Sequence, residues 1–446
     1  MKVQDLPRKV NADDQLVVCF DVSKGEPHGY AIHVRSGAAD REITVSIDRK
    51  ADQIEEKLSE LSDYADDHGL EGLCVVCEPT GGYDEELLRL ARQQGHETAY
   101  VNTEHSAKMS SVESGDTNKT DPADARAMSL VAQVDRTQTH RALEGEYGLL
   151  RELGQMYEDE DRQATRARTR FHHVLKRLFC DYEKDADFLF DSTGTAVMEE
   201  YAWDPEAIVQ DGYERFCERI KSHVKRAQWS TLEALFEQAE RSAKMQWPGR
   251  YRSVWKRRLK QLWADYKRHS RRKEQIAGLI EQLCSQLRKR GEVPAPFEEI
   301  TAKQLGRLIG ELGPISDFEV YEAVEKYVGL NLRERQSGDY EGEVKITKKG
   351  RPLARKILGQ MAHQLITGGR LFGAYYRRKL QEGMRKAKAY VAAGAQNPQA
   401  DRRTLQVGLS LRPGPGLYLS LSIRESRVMP DEEPNAKSNS HRNVDP

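Results

Sequence analysis

Residues 15–24, QLVVCFDVSK, gather five consecutive apolar side chains and then release an acid, Asp21. A run this short, rich in Val and Phe and followed by the turn-like SKGEP, reads as a buried strand. HGYAIHVRS (28–36) and REITVSID (41–48) follow at turn spacing, so the three read as a meander of neighbouring strands. ADQIEEKLSELSDYADDHG (51–69) has helical periodicity, GLCVVCEPT (72–80) reads as a strand, YDEELLRLARQQG (83–95) as a helix ending on Gly95, and HETAYVN (96–102) as a short strand. A polar loop leads to a helix opened by KTDPADAR (119–126).

The order β-β-β-α-β-α-β-α is that of the ribonuclease-H-like fold, in which a meander is extended by parallel strands and carboxylates gather at one edge of the sheet. This is an analogy of fold, since strand order is not written in one sequence. Within it, Asp21 ends the run LVVCF and Glu78 ends the run LCVVC. If the two strands are parallel neighbours, both acids emerge at the same edge. KTDPADAR has a local reading of its own: Asp121 as N-cap, Pro122 in the first helical position and Asp124 two further in make a well-started helix. Its functional reading uses the same geometry, because acids at i and i+3 share a helix face. Packed across the sheet edge, Asp121 and Asp124 would join Asp21 and Glu78 as four oxygen donors, which suit hard cations such as Mg²⁺ or Mn²⁺. One oxygen cannot both cap and bind metal, so Thr120 or the second carboxylate oxygen is expected to take the cap.

The bulk of the chain bounds its class. At 446 residues, 38% hydrophobic and 32% charged, it has room for two or three domains, and no run approaches the length of a bilayer span. With no apolar signal core near its start, it is expected in the cytoplasm, away from membranes. Six scattered cysteines suit reduced core thiols; Cys74 and Cys77 form a C-x-x-C, but three apart on a strand they face opposite ways, against a zinc knuckle. Charge is uneven: 14 Lys and Arg meet 26 Asp and Glu in residues 1–130, whereas 56 meet 45 in the remaining 316. A carboxylate-rich front joined to a basic rear suggests a catalytic site attached to a polyanion-binding body.

Residues 148–179 and 254–287 carry long helical patterns with few breakers and read as the two arms of an antiparallel coiled-coil hairpin, with 185–212 as a small helical tip. Between Tyr251 and Lys273 ten Lys or Arg face the single acid Asp265. There Trp255, Leu259, Leu262 and Tyr266 read as a packing seam before they read as bases' stacking partners, while Arg257, Arg258 and Lys260 are candidates for backbone contacts. Behind Gly291, residues 298–313, 318–330 and 351–369 look helical, with NLRERQSGDYEGEVKITKKG (331–350) as an ordered loop or short hairpin. No internal repeat is present.

FDVSKGEPHGYAI (20–32), EPTGGY (78–83) and NKTDPADARAMSL (118–130) resemble the DEDD-type transposases of bacterial and archaeal insertion sequences. The resemblance implies a RuvC-like first domain whose four acids fall on Asp21, Glu78, Asp121 and Asp124. Its second signature is matched by YVGLNLRERQSGDYEGEVKITKKGRPLARK (327–356), with Ser337 in the position of a nucleophile that joins DNA covalently; taken alone, a Ser-Gly pair is a turn. Around it Arg333, Arg335, Lys345, Lys348, Lys349 and Arg351, and beside the acid pair Lys119 and Arg126, become candidates for nucleic-acid contacts. The resemblance further implies DNA element ends and target as partners, a guide (bridge) RNA, and a homo-oligomer, dimer or tetramer. The architecture expected is α/β plus all-α: a ribonuclease-H-like domain (1–142), coiled-coil helices (143–290), a small mainly helical transposase domain (291–393) and a disordered or frameshifted tail (394–446).

Two departures from the family pattern stand out. Where the family places a P-G-I-G hairpin, this chain has VPAPFEEITAKQLG (293–306). After residue 393 a basic helix is expected, yet GAQNPQADRRTLQ follows; permissible codons for it, read one base later, spell ARKILRRTVALY, which suggests a frameshift near codon 394. The remaining rivals are a RuvC-like metal nuclease that uses water and ignores Ser337, and a decayed transposase that binds nucleic acid without catalysis.

Overall fold

The computed structural model describes residues 15–22, 29–35, 45–48, 50–114, 121–134, 136–293, 300–318, 320–333, 336–337, 340–341, 345–366, 373–384, 386, 389, 408–410 and 420–422. Along the chain come β1 (Leu16–Val22), β2 (Gly29–Arg35), β3 (Val45–Asp48), α1 (Ala51–Asp67), β4 (Leu73–Cys77), α2 (Glu85–Gln93), β5 (Glu97–Val101), α3 (Thr103–Ser114), α4 (Asp121–Gln133) and β6 (Thr137–Thr139). Then follow α5 (Gly145–Leu178), α6 (Ser192–Tyr201), α7 (Pro205–Asp211), α8 (Tyr213–His223), α9 (Trp229–Ala243), α10 (Gly249–Lys289), α11 (Ala302–Leu312) and α12 (Tyr321–Val328). The last elements are β7 (Leu332–Arg333), β8 (Gln336–Ser337), β9 (Tyr340–Glu341), β10 (Lys345–Ile346), α13 (Pro352–Ile366), α14 (Gly373–Gln381), β11 (Gly408–Ser410) and β12 (Ser420–Ser422). The chain is mostly helical and carries one mixed sheet of order β3-β2-β1-β4-β5-β6. Of the tail beyond residue 393, only β11 and β12 fall among the described residues.

The chain divides into two compact units, Met1–Leu143 with Pro314–Gly350 and Gly408–Leu411, and Glu144–Gly313 with Arg351–Val407 and Arg412–Pro446. In the first, β1, β2 and β3 run antiparallel in series, β4 lies parallel to β1 and β5 parallel to β4, and β6 closes antiparallel. Strand side chains alternate between faces. Leu16, Val18 and Phe20 meet Ile54 and Leu58 of α1 and Leu87 and Leu88 of α2. Val17 and Cys19 meet Ala99 and Val101 on the other face, under Ala125, Met128, Val131 and Ala132 of α4. Each such fully buried aliphatic side chain contributes roughly 1.5–3 kcal/mol. Cys74 lies on the α4 face and Cys77 on the α1–α2 face, as the period-two reading of C-x-x-C requires; burial raises both Cys19 and Cys77 well above the usual thiol range.

Two elements differ from the expected reading. Residues 103–114 form α3, where a polar loop was expected; TEHSAKMSSVES has no apolar stripe, and the start is fixed instead by Asn102, whose Oδ1 accepts the Glu104 amide at 2.8 Å. The three-residue β6 escapes the period-two rule because it is too short to show it.

In the second unit α5 and α10 pair along their lengths in opposite directions: Glu146 bonds Arg290 near one end, and Glu160 meets His269 at 2.5 Å farther along. Leu259 and Leu262 are buried on the seam and Trp255 packs against the same core, so these residues pack, as their spacing suggests. At the far end α6–α9 close over Trp203, Tyr182, Phe179 and Phe216, all fully buried.

Candidate active site

The two strand-end acids are placed by register and parity. Phe20 of β1 lies opposite Cys77 of β4 in a parallel pair, so Asp21 and Glu78 are the next residues along two adjacent strands running the same way. Asp21 follows Cys19 by two residues and Glu78 follows Val76 by two, which assigns both to the α4 face. Both are half-buried.

The turn that carries Glu78 out of β4 is built on Asp84, which is 3% exposed. Its carboxylate accepts Thr80 N at 3.2 Å, Thr80 Oγ1 at 2.9 Å, Gly82 N at 3.2 Å and the Tyr100 hydroxyl at 2.5 Å. Gly81 and Gly82, at φ 70° and 110°, supply the left-handed backbone that this loop needs. Burial alone would raise the Asp84 carboxyl, yet the donors from Tyr100, its own backbone and Thr80 hold it below the usual value. Tyr100 is pushed up by burial and by Asp84.

Helix α3 adds residues that the sequence did not single out. Ser106, 4% exposed, donates its hydroxyl to Glu78 Oε1 and so orients that carboxylate. Two residues earlier, Glu104 takes Lys108 at 2.8 Å and Lys349 at 2.7 Å. Those two ammonium groups, Lys108 first, lower the Glu104 carboxyl to about 2. The first turn of α3 therefore touches both the strand-end acid and the basic stretch that follows Ser337. The sequence signal for it was the capping residue Asn102 before Thr103 and Glu104.

On α4, Asp124 is half-buried beside buried Ala125, and Arg126 is exposed. The side chain of Asp121, with Lys119 and Thr120, lies outside the described residues, so neither the expected cap nor the fourth acid is described. Among the described residues no three His, Cys, Asp or Glu side chains gather closely enough to hold a metal ion. The donor set itself, carboxylate oxygens only, has the chemistry of a hard divalent cation site.

Ser337 lies in β8, where it pairs with Tyr340 of β9, and Arg333 of β7 pairs with Lys345 of β10. This is the short-hairpin form expected of residues 331–350; the Ser337, Arg333 and Lys345 side chains and all of Arg335 lie outside the described residues. Arg141 ties the segment to the sheet-bearing unit. Its Nε donates to Asp317 at 3.1 Å and its Nη2 to the Pro314 carbonyl at 3.2 Å, while the guanidinium lies 5.0 Å from the Phe318 ring and 5.6 Å from the Tyr327 ring. Gly350, at φ 140°, abuts the Tyr327 carbonyl so closely that a Cβ would not fit. Lys348 is exposed, and Lys349 is held on Glu104. Arg351 grips Glu311 with two nitrogens at 3.0 and 3.2 Å. Arg257, Arg258 and Lys260 are exposed along α10.

Two family models match the chain. The DEDD transposase model of the IS110 group, described as "Transposase", matches residues 19–180 and so spans all four acids. The model described as "Transposase IS116/IS110/IS902 family" matches residues 300–377, which include Ser337. The chain belongs to the IS110 family of transposases. As a member it acts on DNA, and its domains are those of an enzyme that cleaves and recombines it. The DEDD type of domain points to dependence on a divalent metal. No curated protein matches the chain. No described helix of this transposase is long and apolar enough to cross a membrane.

Proposed function

We propose that this transposase cuts and rejoins DNA with Ser337 as nucleophile, beside a carboxylate site of Asp21, Glu78, Asp121 and Asp124, under the direction of a bridge RNA. The observation that carries the reading is that Asp21 and Glu78 leave adjacent parallel strands on the face covered by α4. The sheet order, a three-stranded meander extended by β4 and β5 in parallel, supports a ribonuclease-H-like domain over residues 1–142. The opposed pairing of α5 and α10 supports a coiled-coil region over 143–290.

In this mechanism the Ser337 Oγ attacks a backbone phosphorus as its proton passes to a nearby carboxylate or water. The new Oγ–P bond forms while a P–O bond to a sugar breaks, and the proton balance closes on the released sugar hydroxyl. A hydroxyl from another strand then reverses the step, so rejoining needs no external energy. Asp21, Glu78, Asp121 and Asp124 would hold Mg²⁺ or Mn²⁺, which when bound supplies charge neutralisation at the phosphate. Ser106 holds the Glu78 carboxylate in one orientation. Exposed Arg257, Arg258, Lys260 and Lys348 contribute backbone contacts to DNA or to the guide RNA. Because several strands are cut and joined, the working form is a homo-oligomer.

The test uses the full chain, Mg²⁺, DNA bearing the element ends and target, and the RNA flanking the gene. Ser337→Ala should abolish both joined product and covalent protein–DNA adduct while DNA binding persists. Cleavage that survives in Ser337→Ala would make the enzyme a water-using nuclease. Binding without joining in the unaltered chain would mark a decayed transposase.

A further inference from the structure

The second unit contains a cleft of about 630 Å³ between α5, α11 and α13. Each helix offers it a four-residue stripe: Tyr157 and Asp161 from α5, Lys303 and Arg307 from α11, Lys356 and Gln360 from α13. At its floor Arg307 is 4% exposed, donates Nη2 to Glu158 Oε2 at 3.2 Å, and lies 4.3 Å from the centre of the Tyr157 ring. Its Nε has no partner among the described residues. A buried guanidinium with an unmet donor is costly unless something fills it.

Charge and geometry narrow the occupant. Glu158 is taken by Arg307 and by Lys356 at 2.5 Å, and Asp161 by Lys273 at 3.2 Å. Lys303, 5.8 Å from the Tyr157 ring centre, has no ion pair among the described residues. Arg162 also reaches Glu158 at 3.6 Å and is shared with Asp159, so five cations meet three acids and a positive excess remains around the cleft. Arg307, Lys303 and Lys273 already crowd the Tyr157 ring, so a nucleobase finds no free aromatic face there. The backbone amide of Gln304 is taken by Thr301 in a capping box, so recognition falls on side chains rather than on the start of α11.

We propose that this cleft is a phosphodiester-binding site that seats backbone phosphate of a nucleic-acid strand on Arg307 and Lys303. The site requires neither Ser337 chemistry nor the carboxylates, so it stands or falls separately from them. DNA and RNA share the phosphodiester, and binding to each tells them apart.

The experiment measures binding of the full chain to a labelled DNA duplex with an element end, and separately to the flanking RNA, across a salt series. Lys303→Ala removes a cation that supports no ion pair among the described residues, and Gln360→Glu places an acid on the exposed rim. Lys244→Ala, at the exposed end of α9, serves as control. Lys303→Ala should weaken binding several-fold whatever the sequence and lower the salt slope by about one, with the melting temperature unchanged. Gln360→Glu should weaken it further, roughly tenfold. A loss confined to DNA names DNA as the occupant, and a loss confined to RNA names RNA. Unchanged slopes on both, a loss seen with only one base sequence, or an equal loss in Lys244→Ala would overturn the site.

Discussion

Asp84 shows how one side chain can hold the loop that follows Glu78. Its folded pKa lies below the unfolded value of about 3.9, so the network stabilises the protein above that pH and the gain is lost as pH falls through the folded pKa. Asp84→Asn should therefore cost about 1–3 kcal/mol at pH 7, and the gap from the unaltered chain in urea denaturation should shrink steadily below pH 4. Ser106 acts on the acid itself. Ser106→Ala removes the hydroxyl that orients Glu78, and, on the proposed role of Glu78 as a metal-holding carboxylate, strand exchange should slow by roughly tenfold or more while the fold holds. Asp21 and Glu78 were legible in the sequence because each ends an apolar run. Ser106 was not, since a serine in a polar helix looks the same whether it faces water or a carboxylate.

Among the elements, those with a strong apolar period were readable and those held by polar or very close contacts were not. β1 and β4 announced themselves as LVVCF and LCVVC, and α5 and α10 as long uninterrupted stripes. Helix α3 has only Met109 against the α4-side core, and its position rests on Asn102, Ser106 and Glu104, so no periodicity could reveal it. Helix α11 is placed by what it lacks. A Cβ on Gly310 would lie 2.6 Å from the Leu150 backbone of α5, and one on Gly306 would lie 2.6 Å from Ile280 of α10. Backbone cannot swing aside as a side chain can, so Gly310→Ala should destabilise the second unit by about 1–3 kcal/mol and outweigh the gain in helix propensity. Thermal melting of the single variant reads this directly.

For the molecule as a whole, the first unit is assembled from distant parts of the chain, and Arg141 is one of the ties. Removing it leaves Asp317 and the Phe318 and Tyr327 rings without their cation, while the sheet core of Leu16, Val18 and Leu87 stays intact. Arg141→Ala should therefore lose most strand exchange yet keep a cooperative unfolding transition. Proteolysis should show new cuts between residues 314 and 350, and Arg141→Lys should recover only part of the loss because it restores charge without the planar fork. That split assembly also sets a schedule. Residues 1–143 leave the ribosome long before residues 314–350 can join them. At about 5–20 residues per second the interval is on the order of ten to forty seconds. During that time a nascent chain holds Asp21 and Glu78 without the segment that bears Ser337, so the serine chemistry proposed for it stays withheld until that later segment is made.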